Sequence, residues 1–179
     1  MIEIGLDFNL DELLGLNTKI EDDFFGAKFG SRKEEIIECF KKHNIYLDEE
    51  DSREDELIFV KQESQDMKVE NHLTFEGLNW EYILVNLLDN CLDKIMFNLT
   101  FDNKEEALNE LDNVYSVISK KYNMKLTVEP NEYEINDDEP ISIKAYGNCN
   151  GLIAFCSTEK NENNETLYNV TLCYCNLED

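Results

Sequence analysis

The cysteines near residue 175 are the first candidates for chemistry in this sequence. Cys173 and Cys175 are separated by one residue, Tyr174. On a β-strand both thiols would therefore point to the same face, about 7 Å apart along the strand. Cys149 and Cys156 precede them in a predicted hairpin and could approach, which makes a four-thiolate zinc site conceivable. The chain has no C-x2-C pair, however. We therefore predict no metal site and no cofactor, and interpret these cysteines as small, mostly buried thiols.

Residues for acid-base or nucleophilic catalysis form no recognisable pattern. His43 and His72 are the only histidines, and neither stands in a nucleophile motif. G-x-S-x-G, H-E-x-x-H and phosphate-binding glycine loops are absent from the sequence. The 40 Asp and Glu residues make chance carboxylate pairs uninformative. No catalytic residue is predicted, and a small cytosolic enzyme with an acidic pocket is kept as an alternative.

Three acidic clusters are the strongest local feature. The run DEEDSREDE holds seven acids in nine residues, and shorter clusters are Glu21-Asp22-Asp23 and Asp137-Asp138-Glu139. None has the glycine that calcium loops place at their turn. We hypothesise an electronegative face that docks onto a basic partner, whereas the alternative is a set of solvated loops. The acids predicted to bind the partner are Asp48, Glu49, Glu50, Asp51, Glu54, Asp55, Glu56, Asp137, Asp138 and Glu139.

The net charge limits the kinds of partner. Acids outnumber the 16 Lys and Arg residues so strongly that the formal net charge is −24. Such a surface repels phosphates, so we predict no direct nucleic-acid binding and no membrane binding. It attracts basic protein surfaces and speeds association with them. A basic protein is therefore the predicted partner, although the charge could also serve solubility alone.

The cysteines and the N-terminal residues predict a compartment. MIEIGLDFNLDELLGL lacks the basic segment and apolar run of a signal peptide, and no stretch approaches 18 apolar residues. The spacing of the six cysteines does not resemble a secreted disulfide framework. We predict a cytoplasmic protein with free thiols.

Hydrophobic periodicity predicts three helices. Residues 9–16 predict a short N-terminal helix, followed by a polar joint to residue 23. A second helix begins at Ser31, which could form a capping box with Glu34, and extends to about residue 43. The third covers about 104–122, capped by Asp102 or Asn103. Its predicted buried stripe is Leu108, Leu111, Tyr115, Ile118 and Tyr122.

Other segments alternate with the period of β-strands. Short polar turns between them favour antiparallel pairing. The predicted fold class is α+β: an antiparallel sheet of about six strands or more, with two amphipathic helices on one face. The predicted order is α-β-β-β-α-β-β-β after the short N-terminal helix, in a single domain covering 1–179. Trp80 begins an apolar strand, which favours the core, with an aromatic anchor at an interface as the alternative.

One resemblance is carried by FFGAKFGSRKEEIIECF, LTFEGLNW, LLDNCLDKIMFNLTF and the helix ending in SKKY, which together cover about residues 24–122. Their order resembles a type of small bacterial α+β module, in which a Gly-Ser/Thr-x-x-Glu helix start precedes a β meander and a second helix. The layout is similar to that of β-lactamase inhibitor protein and of small outer-membrane assembly lipoproteins. The resemblance implies a non-enzymatic binding or inhibitory module and carries over no functional residue.

These observations give three hypotheses. The first is a binding protein, such as an inhibitor, immunity or anti-defence protein, that covers a basic, nucleic-acid-handling protein. The second is the enzyme with an acidic pocket, and the third is a scaffold module whose charge gives solubility only. Acids gathered on one surface favour the first hypothesis, and a deep pocket with convergent polar groups favours the second.

Overall fold

A computed structural model describes residues 19–62, 73–129 and 141–177. Several residues named in the sequence analysis lie outside this part: the predicted N-terminal helix, the first two residues of the joint, His72, Asp137, Asp138 and Glu139. The described part contains two helices, α1 (Lys33–Lys41) and α2 (Lys104–Ile118), and ten strands. These are β1 (Ile45–Asp48), β2 (Glu56–Lys61), β3 (Leu73–Phe75), β4 (Leu78–Trp80), β5 (Tyr82–Leu88), β6 (Cys91–Phe101), β7 (Lys125–Val128), β8 (Ile141–Gly147), β9 (Leu152–Lys160) and β10 (Thr166–Cys175).

Eight of the strands form one antiparallel sheet in the order β1-β2-β5-β6-β10-β9-β8-β7. Most neighbours in the sheet are also neighbours in sequence, because β5-β6, β8-β9 and β9-β10 are joined by short connections and β7 pairs with the next strand, β8. The central pair, β6 and β10, joins two halves of the chain that are far apart in sequence. The α+β class with a mainly antiparallel sheet and two helices is confirmed for the described residues.

The order of elements differs from the prediction, with six strands before α2 and four after it. Strand β1 is too short to show a period of two in the sequence. Strands β3 and β4 lie outside the large sheet and form a separate two-stranded sheet. Glu76 and Gly77 both have positive φ, 53° and 75°, which makes the tight turn that ends β3.

The N-cap of helix α1 is Arg32, one residue after the predicted cap Ser31. The predicted capping box is wrong, because the Ser31 hydroxyl accepts a hydrogen bond from the Lys28 amide at 3.0 Å. The Glu35 carboxylate instead accepts from the amide of Arg32, the N-cap residue, at 2.9 Å. Asn44, at φ 60°, turns the chain from the helix into β1.

Helix α2 has the predicted cap and a slightly rotated buried stripe. Asn103 Oδ1 accepts from two amides of the first turn, at 2.8 and 3.2 Å. The fully buried positions are Ala107, Leu111, Val114 and Ile118. Leu108 and Tyr115 border this stripe, and Tyr122 is buried just beyond the helix. Apolar residues flank the stripe on both sides, so the same helical period in the sequence allows either rotation of the helix.

Both helices pack on the same face of the large sheet. Phe40 of α1 meets Phe59 of β2 with ring centroids 4.7 Å apart. Tyr115 of α2 stacks on Tyr146 of β8 at 4.1 Å. These two contacts lie at the ends of one row of paired positions, Phe59, Ile83, Phe97, Leu172, Ala154 and Tyr146. Because paired residues share a face, this row defines a helix-covered face.

The opposite face of the sheet carries polar and sulfur-containing residues in its centre. Thr171 Oγ1 donates to Asn98 Oδ1 at 2.8 Å, and Thr100 Oγ1 donates to Asn169 Oδ1 at 3.1 Å. Both bonds join β6 to β10 at paired positions. They satisfy polar groups that would otherwise be buried without a partner.

Leu111 tests the packing of α2 on the sheet. Its side chain is fully buried, so Leu111→Ala is expected to lower the free energy of unfolding by roughly 2–5 kcal/mol. Urea unfolding followed by circular dichroism measures the change. The exposed Ser116 of the same helix provides the control, because Ser116→Ala removes no buried contact. A loss below about 0.5 kcal/mol for Leu111→Ala would show that α2 does not cover the sheet as described.

Candidate protein-binding site

The acidic run is the loop of the first hairpin of the sheet. Strand β1 precedes the run and strand β2 follows it. Asp48 is the last residue of β1, and Glu56 is the first of β2. The run therefore projects from one end of the sheet near its edge, on two strands fixed by antiparallel pairing.

Hydrogen bonds within the loop fix its backbone. Asp48 Oδ1 accepts from the amides of Glu50 and Asp51, at 3.1 and 3.4 Å, as aspartate does in tight turns. The Ser52 hydroxyl accepts from the amide of Ile58 at 2.9 Å, which ties the loop to β2. Two of the nine residues thus hold the loop, while most of the others direct their side chains to solvent.

Five carboxylates of the loop are exposed, namely Glu49, Glu50, Asp51, Glu54 and Asp55. Asp48 and Glu56 are half-buried, and Glu56 accepts a hydrogen bond from the amide group of Asn86 at 3.4 Å. In the described part of the chain, no lysine or arginine forms an ion pair with any carboxylate of this loop. Five negative charges thus stand close together, with the exposed Arg53 as the one cation within the loop.

The turn between β5 and β6 adds a sixth exposed acid. The amide of Leu87 donates to the carbonyl of Asp55 at 2.8 Å, which holds this turn against the loop. Asp89 and Asn90, with φ of 51° and 63°, form the two-residue turn that the sequence predicts. We call the six exposed acids of the loop and the turn the acidic rim: Glu49, Glu50, Asp51, Glu54, Asp55 and Asp89.

An open pocket of about 330 Å³ lies where the loop meets the turn. Glu54, Asp55, Leu87, Asp89 and Asn90 line it. Its three acids are exposed, so it lacks the desolvated, convergent polar groups of a typical enzyme site. Beside it, 63% of Leu88 is exposed, more than any other large apolar residue among the described ones. Leu88 directly precedes Asp89, so the turn presents an apolar side chain next to acidic ones, a combination that protein-binding surfaces use.

Sequence reasoning missed Leu88 and Asp89. The turn itself is recognisable from Asp89-Asn90. Nothing local, however, says that this turn lies beside a loop more than thirty residues earlier. That contact follows from the pairing of β2 with β5, which brings Glu56 opposite Asn86.

The start of α1 contacts the turn through backbone groups. The amide of Lys33 donates to the carbonyl of Asn90 at 3.2 Å, and Arg32 forms an isolated backbone β-bridge with Cys91. The turn at Asp89 is therefore held between the loop on one side and the start of α1 on the other.

Trp80 belongs to the core. Only 3% of it is exposed, and its indole nitrogen donates to the carbonyl of Phe75 at 3.3 Å. Its ring lies 5.9 Å from that of Phe97. The buried Trp80 side chain is therefore not available as an aromatic anchor for a partner.

The cluster at Glu21 has a structural role. Lys121 Nζ lies 3.1 Å from Glu21 Oε2 and 2.9 Å from Glu76 Oε1, so one ammonium joins two carboxylates. Burial disfavours the charged ammonium, but hydrogen bonds to Glu76 and Glu21 outweigh it and raise the pKa of Lys121. Asp137, Asp138 and Glu139 lie outside the described residues.

The Glu21 contact predicts a pH dependence of stability. Burial acts to raise the pKa of Glu21, but hydrogen bonds from the Asp23 amide and from Lys121 lower it overall. Its contribution is therefore present above the unfolded pKa of 4.5 and lost as pH falls through the folded value. Urea unfolding between pH 3 and 7 is expected to show Glu21→Gln losing most stability at pH 7 and approaching the wild type at low pH. A loss independent of pH would contradict this ionic contribution.

The four cysteines considered for a zinc site do not come together. Cys156 pairs with Val170 on the helix-covered face, whereas Cys173 and Cys175 lie on the opposite face. Cys149 is exposed in the loop before β9. All six cysteines are free thiols, as predicted. Among the described residues, no group of three or more His, Cys, Asp and Glu side chains is arranged to hold a metal ion.

Comparison of the chain with protein-family models, curated proteins and solved structures gives no match. Among the helices of the described residues, none has the length and apolar character needed to cross a membrane. The case for a function therefore depends on the acidic rim and its surroundings.

Proposed function

We propose that the protein acts by binding, and that its acidic rim covers a basic surface of another protein. The observation that carries this proposal is the cluster of exposed carboxylates in the loop and the neighbouring turn, where the exposed Leu88 precedes Asp89. Inhibitor, immunity and anti-defence proteins act in this way, by occupying a surface that their target needs.

Charged and apolar residues contribute to binding in different ways. Charges at the edge of an interface steer the approach of the partner and set the on-rate. A central apolar side chain that becomes desolvated slows dissociation. The acidic rim supplies the first kind of group and Leu88 the second.

The charge density of the loop favours a partner that handles nucleic acid. Nine extended residues span at most about 30 Å, so seven acids in the run give one negative charge per roughly 4 Å or less. One strand of duplex DNA carries one negative charge per about 3.4 Å. The folded loop, which also holds Arg53, does not repeat the regular spacing of a phosphate backbone, but its density of negative charge is comparable. A protein surface that binds phosphates carries the cations that such a loop would pair with.

Affinity capture from the native host tests the proposal. The wild type is compared with a neutralised variant, in which Glu49, Glu50, Asp51, Glu54 and Asp55 become Gln or Asn. A control variant has the same change in net charge at five exposed acids away from the rim: Glu38, Asp102, Glu129, Glu159 and Glu162.

The wild type and the control are expected to retain the same basic protein, and the neutralised variant is expected to lose it. Equal loss from both variants would show that net charge alone governs retention. Equal retention by all three would place the binding surface elsewhere on the molecule.

A further inference from the structure

Two thiols on the opposite face of the sheet lie within contact distance. The sulfur atoms of Cys173 and Cys175 are 3.6 Å apart near the end of β10. Cys173 is 3% exposed, while Cys175 is half-buried and reachable from solvent. Residues two apart on a strand share a face, so both thiols point to the same side of the sheet.

A third sulfur lies on the neighbouring strand. Met96 of β6 is paired directly with Cys173, so it lies on the same face. The Cβ atoms of directly opposite residues are about 4.5–5.5 Å apart. Methionine is unbranched and has three rotatable bonds, so its half-buried thioether can reach the two thiols.

The separation of the thiols suits chelation better than a disulfide. A disulfide needs sulfur atoms about 2.05 Å apart, and residues two apart on a strand lie at the upper limit of the Cα separation that it allows. Two thiolates at about 2.3 Å from a shared metal ion and 3.6 Å from each other subtend about 103° at that ion. This angle lies within the range of three- and four-coordinate metal sites and needs no movement of the backbone.

A positively charged residue lies beside the two thiols. Lys94 is paired with Cys175 across β6 and β10, so the two side chains share the face of the sheet that carries the sulfur atoms. A cation at this position favours the negative charge that thiolate ligands bring to a metal site.

We propose that Cys173, Cys175 and Met96 form a binding site for one soft monovalent cation of the copper(I) class. Thiolate and thioether ligands are the donors that copper(I) prefers. Zinc would need four ligands, and the described residues provide no third Cys, His, Asp or Glu at this position. Binding is a ligand exchange in which the thiols release their protons to solvent and the metal stays in its +1 state. The proposal is independent of the acidic rim.

Titration with copper(I) tests the site. The background variant carries Cys39→Ser, Cys91→Ser and Cys149→Ser, so that the more accessible thiols elsewhere cannot bind the metal. Cys156 is retained, because burial raises its pKa to about 12 and it lies on the other face. Copper(I) is supplied without oxygen as its coloured bicinchoninate complex, and the loss of colour measures its transfer to the protein.

The background variant is expected to take up one equivalent of copper(I). Adding Cys175→Ser should abolish uptake. Adding Met96→Leu should lower the affinity for copper(I) by at least roughly tenfold, which is the effect of losing an outer-shell partner of a bound metal. Cys175 is only half-buried, so its replacement leaves the fold intact, which circular dichroism verifies. Undiminished uptake by the Cys175→Ser variant would overturn the site. No copper(I) uptake, with the loss of two hydrogens in air, would instead identify the thiols as a redox pair.

Discussion

Neutralising the five exposed acids of the first hairpin loop is expected to slow association with the captured partner by roughly 10- to 100-fold at low ionic strength. The changes are Glu49, Glu50 and Glu54 to Gln, and Asp51 and Asp55 to Asn. Stopped-flow measurement of the on-rate between 0.02 and 0.3 M salt provides the test. The wild-type rate should fall steeply with salt, because the screening length shrinks to about 10 Å at 0.1 M.

The neutralised variant should show little dependence on salt, and its off-rate should change less than its on-rate. Its free energy of unfolding should not fall, because Asp48 and Ser52, which hold the loop backbone, are retained. Leu88→Ala is a complementary change that should raise the off-rate and leave the on-rate nearly unchanged. An unaltered on-rate for the neutralised variant at low salt would reduce the run of acids to a solubility feature.

Phe97→Ala is expected to have the largest effect on stability, a loss of about 3–5 kcal/mol. Phe97 is fully buried on the helix-covered face, and its ring is stacked on Phe75 at 4.2 Å. It also faces Trp80 and Tyr174. Truncation therefore leaves a cavity beneath the β3-β4 hairpin, in addition to removing apolar surface from the core.

The single tryptophan reports this change directly. Trp80 fluorescence should shift to longer wavelength in Phe97→Ala, because water reaches the hairpin more easily. Phe97→Leu keeps most of the volume and should cost less than about 1.5 kcal/mol if volume is what matters. A small cost for Phe97→Ala with unchanged fluorescence would mean that the hairpin does not depend on this ring.

The sequence predicts those parts of the fold whose information is local. Asn103 caps α2 as expected, and Leu111 lies on its buried side, because both follow from helix geometry over a few residues. Strand β1 was missed, since four residues cannot establish a period. The pairing of β6 with β10 could not be predicted, because it depends on the whole sheet.

For the candidate sites too, features that depend on local sequence could be predicted and features that depend on strand pairing could not. Exposure of the five loop acids follows from their charge and could be predicted, whereas the position of the turn at Asp89 beside the loop depends on strand order. The register separates Cys156 from Cys173 and Cys175, which the sequence allowed to meet. It brings Met96 opposite Cys173 in their place. A pairing shifted by one residue would reverse both outcomes.

The position of β10 has a consequence for synthesis of the chain. This strand is the last described one to leave the ribosome, yet it lies in the middle of the sheet, between β6 and β9. Until it arrives, β6 presents an unpaired edge and α2 lacks part of the surface on which it packs. Closure must wait for contacts between residues about seventy positions apart, which makes folding slow. The nascent chain should therefore be a substrate for chaperones until β10 is inserted.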